Sequence, residues 1–224
     1  MKLLAIDTST EACSAAVLID GEIRERYRLA PREHTHLILP MIDELLRESD
    51  LKVGGLDAVA FGRGPGAFTG LRIAAGVVQG IAFGADLPVV PVSSLAALAQ
   101  GGYRETGACR VLAAIDARIQ EVYWAACEFD DAGQLQMIGD EVVCSPEQVP
   151  IPGGDDWHGV GSGWVFNFAA KGIKIPIINI ADIDSINMSV YRNNFFTVPN
   201  LSYNISEPVD PCLIETGFIH HFIN

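Results

Sequence analysis

Apolar positions along the first thirty residues come in short runs separated by polar turns. Leu3 to Ile6 is an apolar run that ends on Asp7, and the turn Thr8-Ser9-Thr10 follows it. A second run, Cys13 to Ile19, meets Asp20-Gly21. Asp-Gly between two such runs predicts a two-residue hairpin, because both central residues of that turn need positive φ. A third strand is expected from Ile23 to Leu29. The same pattern returns after residue 109: an apolar strand ends on Asp116, a short turn follows, then a strand from Val122 to Phe129, an Asp/Gly turn at Asp130 to Gly133, and another strand. Leu4-Ala5-Ile6-Asp7 and Ala114-Ile115-Asp116 occupy matching places. Two copies of a β-β-β unit predict two similar lobes.

Between the copies the period lengthens. Leu37, Ile38, Met41, Ile42, Leu45 and Leu46 have helical spacing, with Pro40 expected near the first turn, where proline is tolerated. "LDAVAFG" reads as a strand feeding the glycine-rich stretch "GRGPGAFTGLRIAAG", residues 62 to 76. A helix follows, with Thr69 as its expected N-cap. "LPVVPVSSLAALAQ" predicts a strand and then a helix opened by Ser93 or Ser94. Strands alternating with helices predict an α/β fold.

The helix after the glycine stretch carries Arg72, Gly76, Gly80 and Gly84 at steps of four. Each glycine costs roughly 1 kcal/mol of helix propensity relative to alanine, so the face gains close approach of something: a partner protein, or the chain's own sheet. Phosphate binding is the other use of such a loop. A Walker loop needs a lysine, and none follows Gly70; "GRGPGA" fits a dinucleotide fingerprint only formally, since Pro65 has no amide to donate. Arg63 and Arg72 bracket the loop, either to pair with a partner's carboxylates or to hold the loop to its own lobe.

Charge narrows the field. Lys and Arg number 15 against 28 Asp and Glu, a net charge of −13, which repels a nucleic-acid backbone at long range. Work on nucleic acid would then run through a basic partner. The five cysteines are odd in number and none has CxxC spacing, and no secretory or membrane-spanning run is read, so a reduced cytoplasmic protein is expected. His34 and His36 are two apart, which on a helix points them about 200° apart, so they do not share a metal there. No metal site and no GxSxG nucleophile are expected.

The blocks "LLAIDTSTEACSAAVL", "EHTHLILPMIDELL", "DAVAFGRGPGAFTGLRIAAGVVQGIAFG", "VVPVSSLAALAQ", "AAIDARIQEVYWA" and "GVGSGW" together resemble the bacterial TsaB (YeaZ) family of tRNA threonylcarbamoyladenosine biosynthesis proteins, from Met1 to about Trp164. The resemblance implies an actin/Hsp70/sugar-kinase-like (ASKHA) fold with two RNase-H-like lobes: residues 1–100 as the first lobe, 101–164 as strands of the second, and 165–224 as an atypical tail. It implies a non-catalytic subunit that supports a TsaD-like catalytic subunit, with a TsaE-like ATPase, in threonylcarbamoyl transfer to the adenosine beside the anticodon. tRNA is then met only indirectly. In that family the helices flanking the glycine loop, here roughly Thr35 to Arg47 and Thr69 to Gly84, dock on the partner or on a second copy. The implied partner-binding residues are His36, Leu37, Pro40, Met41, Glu44, Thr69, Arg72, Ile73, Gly76, Val77 and Gly80. Active relatives of this fold grip phosphate with one turn per lobe. Asp7-Thr8-Ser9 has the small residues for this, whereas Asp116-Ala117-Arg118-Ile119-Gln120 has no glycine and is bulky. Half a clamp leaves no cofactor expected beyond ATP or ADP at a subunit boundary. The alternatives are an ATP-dependent sugar- or acetate-kinase-like enzyme, motivated by Asp7, and a metallopeptidase, motivated by the two histidines.

The composition changes after Trp164. Residues 1–164 hold no asparagine and residues 165–224 hold eight, with no helical period. A frameshift or fusion junction, a divergent C-terminus and an added interaction module are the readings. An atypical or incomplete second lobe is expected, with irregular packing in the tail and one sheet face exposed or covered only by it.

Overall fold

The computed structural model describes residues 1–165 and 176–178. The packing and origin expected of the tail lie otherwise outside the described residues. Ten strands and three α-helices run in the order β1 (Lys2–Asp7), β2 (Ala12–Ile19), β3 (Glu22–Leu29), α1 (His34–Glu48), β4 (Ala58–Gly64), α2 (Phe68–Ala85), β5 (Val89–Ser93), α3 (Ser94–Thr106), β6 (Arg110–Arg118), β7 (Glu121–Phe129), β8 (Leu135–Cys144), β9 (His158–Val160) and β10 (Ile177–Ile178) among these residues, with the helices all in the first half.

The duplication goes further than the hairpins. One sheet has the order β3-β2-β1-β4-β5 and the other β8-β7-β6-β9-β10, the same order strand for strand. In each, the first three strands are antiparallel and the last two add in parallel. The parallel pairs β1–β4 and β4–β5 need crossovers, and α1 and α2 supply them.

Alternation within β1 sorts its side chains to two faces. Leu4 and Ile6 join Cys13, Ala15, Val17 and Val59 under α1 and α2, in one core with Ile38, Leu45, Ala74 and Val78. Leu3 and Ala5 join Ala16, Ala58, Ala60 and Ala97 on the other face. The alanines keep that second face thin, so α3 packs close. The opposite side of α3, through Leu95, Leu98 and Ala99, packs on Val111, Ala113, Ala125 and Cys127 of the second sheet. One helix is thus shared by both lobes.

Three sequence expectations change. Pro40 is the seventh residue of α1, inside the helix; it is exposed, so the His36 carbonyl that loses its helical donor faces water. Thr69 is not the N-cap of α2. That place belongs to Ala67, and no side chain caps it; the Ala67 amide instead donates to the Ser9 carbonyl at 2.7 Å. Ser93 does cap α3, accepting from the Ala96 amide at 3.1 Å. The far face of the second sheet is not left bare. Leu112, Ala114, Val122 and Trp124 are covered by Val149, Trp157 and Trp164, all before the tail. Trp124 and Trp164 lie 5.6 Å apart, and the Trp164 indole N–H donates to the Val160 carbonyl at 3.1 Å. Aromatic bulk from a loop takes the place that α1 takes in the first lobe.

Candidate functional site

The glycine stretch divides into two sets with different surroundings. The first set faces the turn after β1. A Cβ on Gly62 stands 2.0 Å from the Asp7 carboxylate, one on Gly66 stands 2.4 Å from the Ser9 carbonyl oxygen, and one on Gly70 stands 1.8 Å from the Thr8 carbonyl oxygen. At Gly66 and Gly70 backbone packs so closely on backbone that only glycine fits, and at Gly62 the space is taken by the Asp7 side chain. The second set, Gly76, Gly80 and Gly84, has nothing among the described residues within 4 Å of an added Cβ. These three look outward into open space.

The first set closes the turn it packs on. Asp7, Thr8 and Ser9 are buried. The Asp7 carboxylate accepts from the Ser9 amide at 2.7 Å and from the Ser9 hydroxyl at 2.6 Å. The Thr8 hydroxyl donates to the Gly70 carbonyl at 2.7 Å, and the Ser94 hydroxyl reaches the Ser9 hydroxyl at 3.2 Å. The Ser9 amide and the Thr8 and Ser9 hydroxyls are thus engaged inside the lobe. Burial pushes the neighbouring Cys13 thiol up to about 11, and the Asp7 charge adds to the effect. The second lobe repeats the device: the Arg118 amide donates to the Asp116 carboxylate at 2.8 Å, and Gly161 and Gly163 pack on Ala114.

The inner stripe of α2, Gly70, Ala74, Val78 and Ala82, is buried on the sheet. Its outer stripe runs Phe68, Arg72, Gly76, Gly80, Gly84. Phe68 is 65 % exposed and Phe83, beside the last glycine, is 87 % exposed. The Arg72 guanidinium lies 3.8 Å from the Phe68 ring centroid, a cation–π stack. At 18 residues and a mean hydropathy of 1.3, α2 is the one helix among the described residues long and apolar enough to cross a membrane; here its inner stripe is part of the lobe core.

The residues expected to bind a partner fall in two groups. Thr69, Arg72, Gly76 and Gly80 of α2 and His36, Pro40 and Glu44 of α1 are exposed, while Ile73, Val77 and Leu37 are half-buried at the edge of the core. Met41 departs from this set: at 8 % exposed it packs within the first-lobe core. Phe68 and Phe83 of α2 belong to the same surface, and their place on it is a finding of the structure. The signal was there in part, since Phe68 continues the four-residue step of Arg72 and Gly76 back by one turn. His34 is buried with Nε2 3.1 Å from the Ala12 carbonyl oxygen, and His36 points out. No group of three or more His, Cys, Asp or Glu among the described residues is placed to hold a metal ion. Arg63 turns to the other lobe, its guanidinium 3.0 Å from Glu141.

The chain matches the family model "TsaD: tRNA N6-adenosine threonylcarbamoyltransferase" over residues 27–208. It is 48 % identical over 169 residues to "tRNA threonylcarbamoyladenosine biosynthesis protein TsaB" of Escherichia coli (strain K12), covering 73 % of this chain and 72 % of that protein. It is 51 % identical over 172 residues to the protein of the same name from Haemophilus influenzae, covering 73 % of each. The solved structure of YeaZ from Pseudomonas aeruginosa matches with a TM-score of 0.71 at 50 % identity, over 78 % of this chain and 80 % of that one.

Proposed function

The chain belongs to the TsaB (YeaZ) family, and from that premise we propose that it is a non-catalytic subunit that docks a TsaD-type catalytic partner in threonylcarbamoyl transfer to tRNA adenosine. The observation that carries the reading is the open glycine stripe of α2 framed by Phe68 and Phe83. A helix that gives up propensity at three outward positions, and leaves two aromatic rings in water, has a surface suited to another helix at close range. Covering the two rings contributes roughly 1.5–3 kcal/mol each. The α1 edge beside it, His36, Leu37, Pro40 and Glu44, widens that surface, with Thr69, Arg72, Ile73, Gly76, Val77 and Gly80 at its centre.

Finer parts of the reading follow from the same premise. The shared strand order supports two RNase-H-like lobes of an ASKHA fold. The closed Asp7 turn supports a subunit with no phosphate chemistry of its own, a nucleotide sitting at most at the boundary with the partner. The acidic chain meets tRNA through that partner, joins a TsaE-like ATPase through the complex, pairs with itself when the partner is absent, and works in the cytoplasm.

The test is Gly80→Trp. The position is exposed and open, and tryptophan is the better helix former, so the fold keeps or gains stability. Size-exclusion chromatography with a purified TsaD-type subunit is expected to show co-elution of the native chain and none of the variant. Equal co-elution of both removes the proposal.

A further inference from the structure

The β6–β7 hairpin turns on two residues, Ile119 and Gln120, with Arg118 and Glu121 paired at its base. Both turn residues are left-handed, at φ +52° and +64°, and Arg118 before them is at +70°. The first lobe has a hairpin of the same kind at Asp20 and Gly21, at +47° and +97°. There the residue types suit the backbone, because Asp and Gly tolerate that region. Isoleucine does not: a β-branched side chain in the left-handed region is an outlier. Ile119 is also 93 % exposed, so no contact among the described residues explains its choice.

The tip is held firmly. The Arg118 amide donates to the Asp116 carboxylate at 2.8 Å, and the Asp116 amide donates to the Ser162 hydroxyl at 3.2 Å. It is also joined to the first lobe. The Arg118 guanidinium lies 3.8 Å from the Glu11 carboxylate in the β1–β2 turn. Ser9 of that turn accepts from the Ala67 amide, one residue before Phe68. A continuous path thus leads from the first turn of α2, through Ser9 to Glu11, to Arg118 and Ile119.

We infer that the docking surface of α2 continues onto the second lobe, and that Ile119 is an apolar knob that seats in a hydrophobic pocket of the same TsaD-type subunit. The inference rests on the reading of α2 as the docking helix. Strained backbone that presents an exposed apolar side chain is explained by a contact made outside the monomer. The occupant is the α2 partner because the knob and Phe68 flank one turn.

The variant Ile119→Asn with Gln120→Gly replaces the knob and gives the turn its preferred residues. Its melting temperature is expected to rise by about 2–4 °C, while its affinity for the purified TsaD-type subunit, by calorimetry, falls roughly tenfold or more. A falling melting temperature overturns the inference, since Ile119 is then held by its own lobe. An affinity within about twofold of the native chain overturns it as well. Gly80→Trp separates the two readings. If it abolishes binding while the turn variant does not, the α2 face stands and its extension to the second lobe fails. If neither variant alters binding, both fail. A turn variant that changes only self-association of the isolated chain also overturns the inference, because the occupant is then a second copy.

Discussion

Gly70 lies so close to Thr8 that a Cβ on the glycine stands 1.8 Å from the threonine carbonyl oxygen, while the Thr8 hydroxyl donates to the Gly70 carbonyl at 2.7 Å. Helix α2 is locked to the β1 turn by a contact that no side chain tolerates. Ten residues along the same helix, a Cβ on Gly80 has nothing among the described residues within 4 Å.

Alanine at these two glycines is therefore expected to act in opposite directions. Gly70→Ala forces backbone against backbone and is expected to cost about 3 kcal/mol or more. Gly80→Ala meets no atom and is expected to stabilise by about 0.5–1 kcal/mol, through the entropy that glycine loses in a helix interior. Urea unfolding of the two variants reads both. Equal effects would mean that both glycines face the same environment.

Thiol ionisation sets a second expectation. Burial pushes Cys13 up to about 11 and Cys127 up to about 12, with the Glu141 charge adding to the latter. The unfolded thiols titrate near 9. Below that value both states keep the proton and these groups give no pH dependence. Above it the unfolded chain loses protons that the native chain holds, so stability falls as pH rises, by up to about 1.4 kcal/mol per pH unit for each thiol. The loss from Cys127 is complete only near pH 12. Cys127→Ala is expected to flatten the fall between pH 9 and about 11 in denaturant titrations. In native protein at pH 8, a thiol reagent followed by peptide mapping is expected to mark exposed Cys109 and to spare Cys13 and Cys127.

Much of this architecture was legible from periodicity. The Asp-Gly hairpin, the helical spacing of Ile38, Met41, Ile42 and Leu45, and the Ser93 cap follow from local rules, and the structure contains each. The division of the glycines did not follow, because a glycine at a backbone collision and a glycine on an open face look the same in sequence. Only the pairing of β1 with β4, which brings Thr8 under Gly70, separates them. Met41 was misplaced for a related reason: helical spacing gives the phase of α1 but not how wide its buried stripe is. The loop tryptophans that cover the second sheet carry no period at all. Trp157 and Trp164 find Trp124 only after residues 145–157 have crossed the sheet.

The last expectation concerns how the lobes are tied. Arg63 is the extra residue where β4 shifts register between Gly62 and Gly64, so its side chain leaves the first sheet and reaches Glu141 on β8 at 3.0 Å. The second oxygen of that carboxylate accepts from the Ser93 hydroxyl, and Ser93 in turn caps α3. One carboxylate of the second lobe thus holds the end of β4 and the start of the helix that both lobes share. Arg63 is nearly half exposed, so its ion pair alone contributes under about 1 kcal/mol. The hydroxyl and the cap add to it: Ser93→Ala is expected to cost about 1–2 kcal/mol. If the three groups act as one tie, Arg63→Ala and Glu141→Ala are not additive, and the double variant is less destabilised than the sum of the two by about 0.5–1 kcal/mol. Urea unfolding of the native chain, the two single variants and the double variant measures that difference. Additive losses would mean that Arg63 and Glu141 act separately and that the angle between the lobes is set by α3 packing alone.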